Sequence, residues 1–214
     1  MILRALTLAI ASLVVAAGAS ATPMTSNLLQ NGEFETSNVT DGNYAYANGF
    51  HAQLQIANWN FVGGTGVANH AGPWGGQGAL ETVAFLQNYA GFNPNSPSIS
   101  QTFTSLATNL LIRFQAAQRP GNTESVAVLL DGNAIGSTLT PGSADWTNYT
   151  LSASNLGSGQ HVLSFQGVNG TNAYDSSLFL DSVTVAAVPE PATYAMLLLG
   201  LGMFGFMAQR RKER

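Results

Sequence analysis

Between residues 59 and 185 the chain alternates short apolar runs with Gly, Asn, Pro and Ser at intervals of about ten residues. That spacing belongs to antiparallel strands joined by tight turns rather than to helices. It predicts strands over 59–62, 79–87, 98–103, 110–116, 125–130, 134–138, 146–152, 160–166 and 177–185. Asp131-Gly132-Asn133 falls between two of these runs and predicts a hairpin turn, because Gly and Asn tolerate positive φ. Residues 38–58 and 88–97, rich in Asn, Gly and Tyr, read as long loops. There is no internal repeat, which argues against a propeller or solenoid. An all-β sandwich is the fold class this pattern supports.

The two ends break the pattern. Residues 1–4 carry a short positive start with Arg4, residues 5–18 are apolar apart from Thr7 and Ser12, and Ala19-Ser20-Ala21 supplies small side chains for a signal peptidase. The apolar run is too short for a comfortable membrane span of about 20 residues, so 1–21 reads as a cleaved secretory signal. Residues 192–208 form a second uncharged apolar stretch, closed by Gln209-Arg210-Arg211-Lys212-Glu213-Arg214. A run near the lower limit for spanning, followed by four cations, predicts a membrane helix whose basic end, Arg210, Arg211 and Lys212, stays cytoplasmic. A buried terminal helix is the competing reading, and the four cations count against it. Domain limits follow: 1–21 signal, 22–187 sandwich, 188–214 tail.

Charge sharpens this division. Five of the seven basic residues lie in the two ends, and between 22 and 188 only Arg113 and Arg119 face nine acids, a formal net charge of −7. Such a body lacks the Lys/Arg footprint needed to displace counterions from phosphates, which excludes a nucleic-acid binder. There is no cysteine, hence no thiol nucleophile and no disulfide staple. The sequence has no Gly-x-Ser-x-Gly elbow, and His51, His70 and His161 lack zinc-ligand spacing. No carboxylate pair for glycoside hydrolysis is marked out, and the expectation is a protein that is not an enzyme.

Val188-Pro189-Glu190-Pro191-Ala192-Thr193, the glycine-bearing apolar stretch and the arginine cluster together resemble the PEP-CTERM sorting signal of Gram-negative bacteria. The resemblance implies recognition of Pro189, Glu190 and Pro191 by an exosortase, release or attachment at the cell surface, and an exopolysaccharide (biofilm) matrix setting. The body carries a second resemblance. Asn27-Leu28-Leu29-Gln30-Asn31-Gly32-Glu33-Phe34-Glu35 opens it, Ser98-Ile99-Ser100-Gln101-Thr102-Phe103 and Asp145-Trp146-Thr147-Asn148-Tyr149-Thr150-Leu151 follow, and Phe179-Leu180-Asp181-Ser182-Val183-Thr184-Val185 closes it. That order is similar to the galactose-binding-like jelly roll of carbohydrate-binding modules. It implies eight or nine strands, the first pairing with the last.

Two sets of residues hold candidate chemistry. On a regular strand Asp181 shares a face with Phe179, Val183 and Val185, and a carboxylate on an apolar face is costly unless paired or metal-bound. With two basic side chains in the body, a hard cation such as Ca²⁺ is one solution; a strand edge facing solvent or bonds to backbone amides are others. The jelly-roll resemblance implies a structural Ca²⁺ between the opening segment and the closing Asp, which by position means Glu35 and Asp181, with Glu33 a further ligand. The second set is aromatic: Tyr44, Tyr46, Phe50, His51, Trp59, His70 and Trp74 crowd one region among Asn, Gln and Gly. Rings that stack on sugar C–H faces beside amides that bond hydroxyls suit a glycan binder. Trp59 and Trp146, within strand-like runs, are expected in the core. Trp74, in Gly72-Pro73-Trp74-Gly75-Gly76, is the best candidate for an exposed platform, with Tyr46, Tyr44 and His70 around it. The function expected is an exported polysaccharide-binding module; a structural matrix protein without a discrete ligand is the alternative.

Overall fold

The computed structural model describes residues 26–69, 74, 82–88, 97–142, 144–168, 175–188 and 199–203. The signal segment 1–21, His70, the sorting residues Pro189, Glu190 and Pro191, and the tail cations Arg210, Arg211 and Lys212 lie outside the described residues.

Among the described residues eleven strands form two antiparallel sheets. They are β1 (Tyr44–Tyr46), β2 (Asn60–Val62), β3 (Thr65–Asn69), β4 (Thr82–Asn88), β5 (Ser98–Ser105), β6 (Leu110–Gln118), β7 (Ser125–Leu130), β8 (Asn133–Ala134), β9 (Thr147–Ala153), β10 (Gly159–Val168) and β11 (Ser176–Ala187). One sheet runs β1-β3-β4-β11-β6-β9, the other β2-β5-β10-β7-β8. The core lies between them, with Leu86, Ile112, Phe114, Leu178 and Leu180 from the first sheet meeting Ile99, Val126, Val128, Leu163 and Phe165 from the second. Alternation positions each contribution: on β10, Leu163 and Phe165 point inward while Val162, Ser164 and Gln166 point out. Trp59 is buried as expected, and its indole N–H donates to the Asn31 carbonyl at 2.8 Å.

Several predicted strands are found with ends shifted by a few residues, and β7 matches 125–130. Other expectations change. The run at 134–138 shortens to the two residues of β8. The predicted loop 38–58 contains β1, and 63–69, outside every predicted strand, contains β3. β3 escapes a propensity reading because it is Thr-Gly-Val-Ala-Asn, yet the packing requires Gly66: a Cβ there would lie 2.1 Å from the Ala45 carbonyl oxygen and 2.3 Å from Phe85 Cζ.

The first and last strands do not pair. β1 is an edge strand on β3, and β11 lies between β4 and β6. It is the opening segment, not a named strand, that is stitched to β11, through Leu28 N–H to Val185 O at 2.8 Å, Val183 N–H to Gly32 O at 3.0 Å, and Val185 N–H to Asn27 Oδ1 at 2.9 Å. Residues 199–203 of the tail are helical, and no helix among the described residues is long and apolar enough to cross a membrane.

Candidate functional site

β4 and β11 are apolar on both faces, and the reason lies outside the sandwich core. Val83 and Phe85 of β4 and Phe179 of β11 point away from it and, with Tyr46 and Ala68, form a second apolar layer on the outer face of the six-stranded sheet. Tyr44, Trp74 and Trp146 pack on that layer. Three expected ligand-binding residues, Trp74, Tyr46 and Tyr44, are therefore brought together. Trp74 stands edge-on to Phe85 with centroids 5.3 Å apart, and tilted to Tyr44 at 4.9 Å and to Phe179 at 6.1 Å. It is half-buried rather than a freely exposed platform, and Trp146 is half-buried on this face rather than in the core.

A polar chain ties down one side of the aromatic layer. The Tyr46 hydroxyl donates to Gln87 Oε1 at 2.6 Å, and Gln87 Nε2 donates to Asp175 Oδ1. Asp175 Oδ1 in turn pairs with Arg119 Nη1 at 3.1 Å, while the guanidinium carbon stands 5.5 Å from the Trp74 ring centroid. Burial, with the Asp175 charge adding, pushes the Tyr46 phenol up to about 12, so it stays a neutral donor. Arg119 thus stands over the Trp74 ring and holds Asp175 through Nη1 alone. On the edge beyond Tyr44, His51 stacks on that ring at 4.1 Å and 9°, beside a pocket of about 230 Å³ lined in part by Asn38, Thr40 and Asn43.

Gln87, Arg119, Asp175, Phe85 and Phe179 were not among the expected site residues. The sequence did hold a signal for two of them. Thr82-Val83-Ala84-Phe85-Leu86 and Leu178-Phe179-Leu180 are apolar at both parities, which marks strands covered on both faces. Nothing local marks Gln87, Arg119 and Asp175, which meet only through tertiary pairing of β4, β6 and β11.

The acidic set lies along the same strand. A β-bulge interrupts β11: Asp181 pairs with Gln115 and Thr184 with Arg113, so Ser182 and Val183 together oppose Phe114. Ser182 takes φ 53°. The extra residue reverses the parity, and Asp181 shares its face with Phe179 but not with Val183 and Val185, which enter the core. The expected common face of all four is thereby corrected. Asp181 is nonetheless buried, at 2% exposure, and its Oδ1 has no hydrogen-bond partner. Burial pushes its carboxyl up to about 7, with the charges of Glu33 and Glu35 adding to the rise.

Glu33 and Glu35 are exposed and engaged elsewhere. Glu33 Oε2 accepts from the Ser182 hydroxyl at 2.9 Å, and Glu35 accepts from Thr82 N–H at 3.0 Å and from its hydroxyl at 2.6 Å. The donor set suits a hard cation, since it offers an orphaned buried carboxylate oxygen near two further carboxylates. Among the described residues no three acidic or imidazole groups already form a metal cage, so an ion would have to draw Glu33 and Glu35 away from Ser182 and Thr82. His161, by contrast, is structural: Nδ1 meets Asp131 Oδ2 at 2.8 Å and Nε2 the Gly157 carbonyl at 2.9 Å.

The chain's last stretch matches a family model described as the PEP-CTERM protein-sorting motif, over residues 187–212. That motif implies exosortase processing, export and a surface or extracellular location. No curated protein matches this chain. Its structural neighbours include jelly-roll carbohydrate-binding modules. One is TmCBM61 in complex with β-1,4-galactotriose, 17% identical, covering 75% of this chain and 98% of that one, with a TM-score of 0.47. A CBM36 module in complex with calcium and xylotriose is 16% identical, covers 60% and 94%, and has a TM-score of 0.43. A CBM4 module is 17% identical, covers 74% and 98%, and also has a TM-score of 0.43.

Proposed function

We propose that residues 22–187 act as a non-catalytic glycan-binding module exported from a Gram-negative cell. The outer face of the six-stranded sheet is its binding surface. The signal segment 1–21 directs passage across the inner membrane and is removed by signal peptidase. The tail 188–214 holds the chain in that membrane through 192–208 until an exosortase acts at Pro189, Glu190 and Pro191. The product works at the cell surface or in the exopolysaccharide matrix.

The observation that carries this reading is the aromatic layer itself. Trp74, Tyr44 and Tyr46 lie within one cluster on a sheet face, flanked by the Gln87, Asp175 and Arg119 chain. Tyr46 is buried beneath this surface, so the half-buried rings of Trp74 and Tyr44 take the C–H side of a pyranose, and the part-exposed Asp175 carboxylate and Arg119 guanidinium take its hydroxyls. Calcium at Asp181, Glu35 and Glu33 belongs to the same reading. It would satisfy the orphaned Oδ1 and tie the opening segment to β11 two residues from Phe179, with no role in any bond-breaking step.

Affinity electrophoresis of residues 22–188 through gels containing a polysaccharide panel, with calcium present, tests the proposal. Retardation by one polymer, weakened by Trp74→Ala by about 1–3 kcal/mol, is the expected result. Free migration through every gel would favour the second reading, a structural matrix protein without a discrete ligand. One observation supports that alternative: Phe85 and Phe179 are already buried, and Trp74 packs on both. Release of reducing sugar from any polymer would overturn the non-catalytic assignment.

A further inference from the structure

The two chain ends of the sandwich leave it together. Leu28 is bonded to Val185, β11 runs to Ala187, and Val188 N–H donates to the Asn109 carbonyl at 2.9 Å. The sorting-motif match begins at residue 187, so body and tail are contiguous. From Val188 to Ala192, where the apolar run starts, there are four Cα steps, which span at most about 14 Å. The polar layer on each side of the hydrocarbon core is about 5–8 Å deep. A tail embedded in a bilayer therefore keeps this end of the sandwich at the headgroups.

The chemistry of that end fits such a place. Register identifies its parts: Ala187 pairs with Leu110, Leu110 with Ala153, and Gly159 with Ser105. The turns 106–109 and 154–158 are thus neighbours, and Leu156 N–H donates to the Thr108 carbonyl at 3.0 Å. Neither turn carries a charged side chain. Asp131, at the hairpin beside them, is paired with His161. Leu106 stands out from this end at 84% exposure, the most exposed large hydrophobic side chain among the described residues. The opposite end is different, with Arg119, Glu124 and Asp175 gathered there.

We propose that, while the tail is in place, the sandwich stands end-on against a lipid surface, with Leu106 inserted into the interfacial layer and turns 106–109 and 154–158 facing the headgroups. An exposed leucine loses water contact there, and the uncharged turns avoid the desolvation cost that a charge would impose. The strands then run along the membrane normal, and the aromatic face opens sideways to the surroundings. The inference depends on the tail occupying a bilayer and not on glycan binding.

The chain has no cysteine, so Leu106→Cys and Thr123→Cys each give one labelling site, at opposite ends of the sandwich. Each full-length variant, carrying an environment-sensitive fluorophore, is reconstituted into phosphatidylcholine–phosphatidylglycerol vesicles. The Leu106→Cys label should blue-shift and be quenched by headgroup nitroxides, the Thr123→Cys label should do neither, and ending the chain at 188 should abolish the shift. An aqueous signal from Leu106→Cys in the intact chain overturns the proposal. So does equal quenching at both sites, which means a body lying on its side, or a shift that persists without the tail.

Discussion

Glu124 is fully buried at the end of the core, and its Oε2 has no hydrogen-bond partner. Its Oε1 lies 3.4 Å from Asn88 Nδ2, a weak bond, and its backbone is held by Gln118 through Glu124 N–H to Oε1 at 2.9 Å and Nε2–H to Glu124 O at 2.7 Å. Burial pushes the carboxyl from 4.5 up to about 7. A folded-state value above the unfolded one means that the folded protein holds the proton more tightly. Stability is then full below pH 4.5, falls as pH rises towards 7, and is level above it. At 1.36 kcal/mol per unit the loss is about 3 kcal/mol. Glu124→Gln removes this titration while leaving the volume and both Gln118 bonds in place. The amide brings its own unpaired N–H, costing about 1–3 kcal/mol, but that cost does not change with pH. Urea unfolding of residues 22–188 should therefore show the variant gaining about 3 kcal/mol on the parent between pH 4 and pH 8, whatever its absolute stability. The titration of Asp181 is common to both proteins and cancels. A stability difference that stays constant from pH 4 to 8, or that moves the other way, refutes the argument.

The calcium reading predicts that chelation lowers the melting temperature of the parent but not of Asp181→Ala; indifference of the parent to EDTA would remove the metal from the account. Gly32→Ala would set a Cβ 2.2 Å from the Val183 carbonyl oxygen. The opening segment must then lift from β11, at a cost of at least about 2 kcal/mol in urea unfolding. Tyr46→Phe deletes the donor to Gln87 and should cost about 1 kcal/mol while leaving the ring in the aromatic layer. An unchanged unfolding midpoint would show that this bond adds nothing to stability.

The sandwich was legible because its core strands obey a local rule. Leu163 and Phe165 alternate with Ser164 and Gln166, and Val126-Ala127-Val128-Leu129-Leu130 is a short apolar run closed by the turn at Asp131-Gly132, so period, run length and turn spacing suffice to place β10 and β7. β1 and β3 obey no such rule. Tyr44-Ala45-Tyr46 sits among Asn and Gly, and β3 is built from small residues because Ala45 and Phe85 close in on Gly66. That demand comes from neighbours about 20 residues away in either direction and leaves no periodic trace.

The site divides in the same way. The sequence alone determined the chemical inventory: a lysine-free acidic body, an aromatic group among Asn, Gln and Gly between residues 44 and 74, a carboxylate inside an apolar closing strand, and a sorting motif after it. These are properties of composition and order, independent of how the chain folds. Only the tertiary structure decided that Trp74 and Tyr46 share a layer with Phe85 and Phe179, that Arg119 and Asp175 tether it, and that one bulge at Ser182 turns Asp181 out of the core while Val183 turns in. The physical reason is strand parity. Side chains alternate with a period of two, so a single inserted residue exchanges the two faces of everything beyond it, and no pattern along the chain marks where that insertion is made.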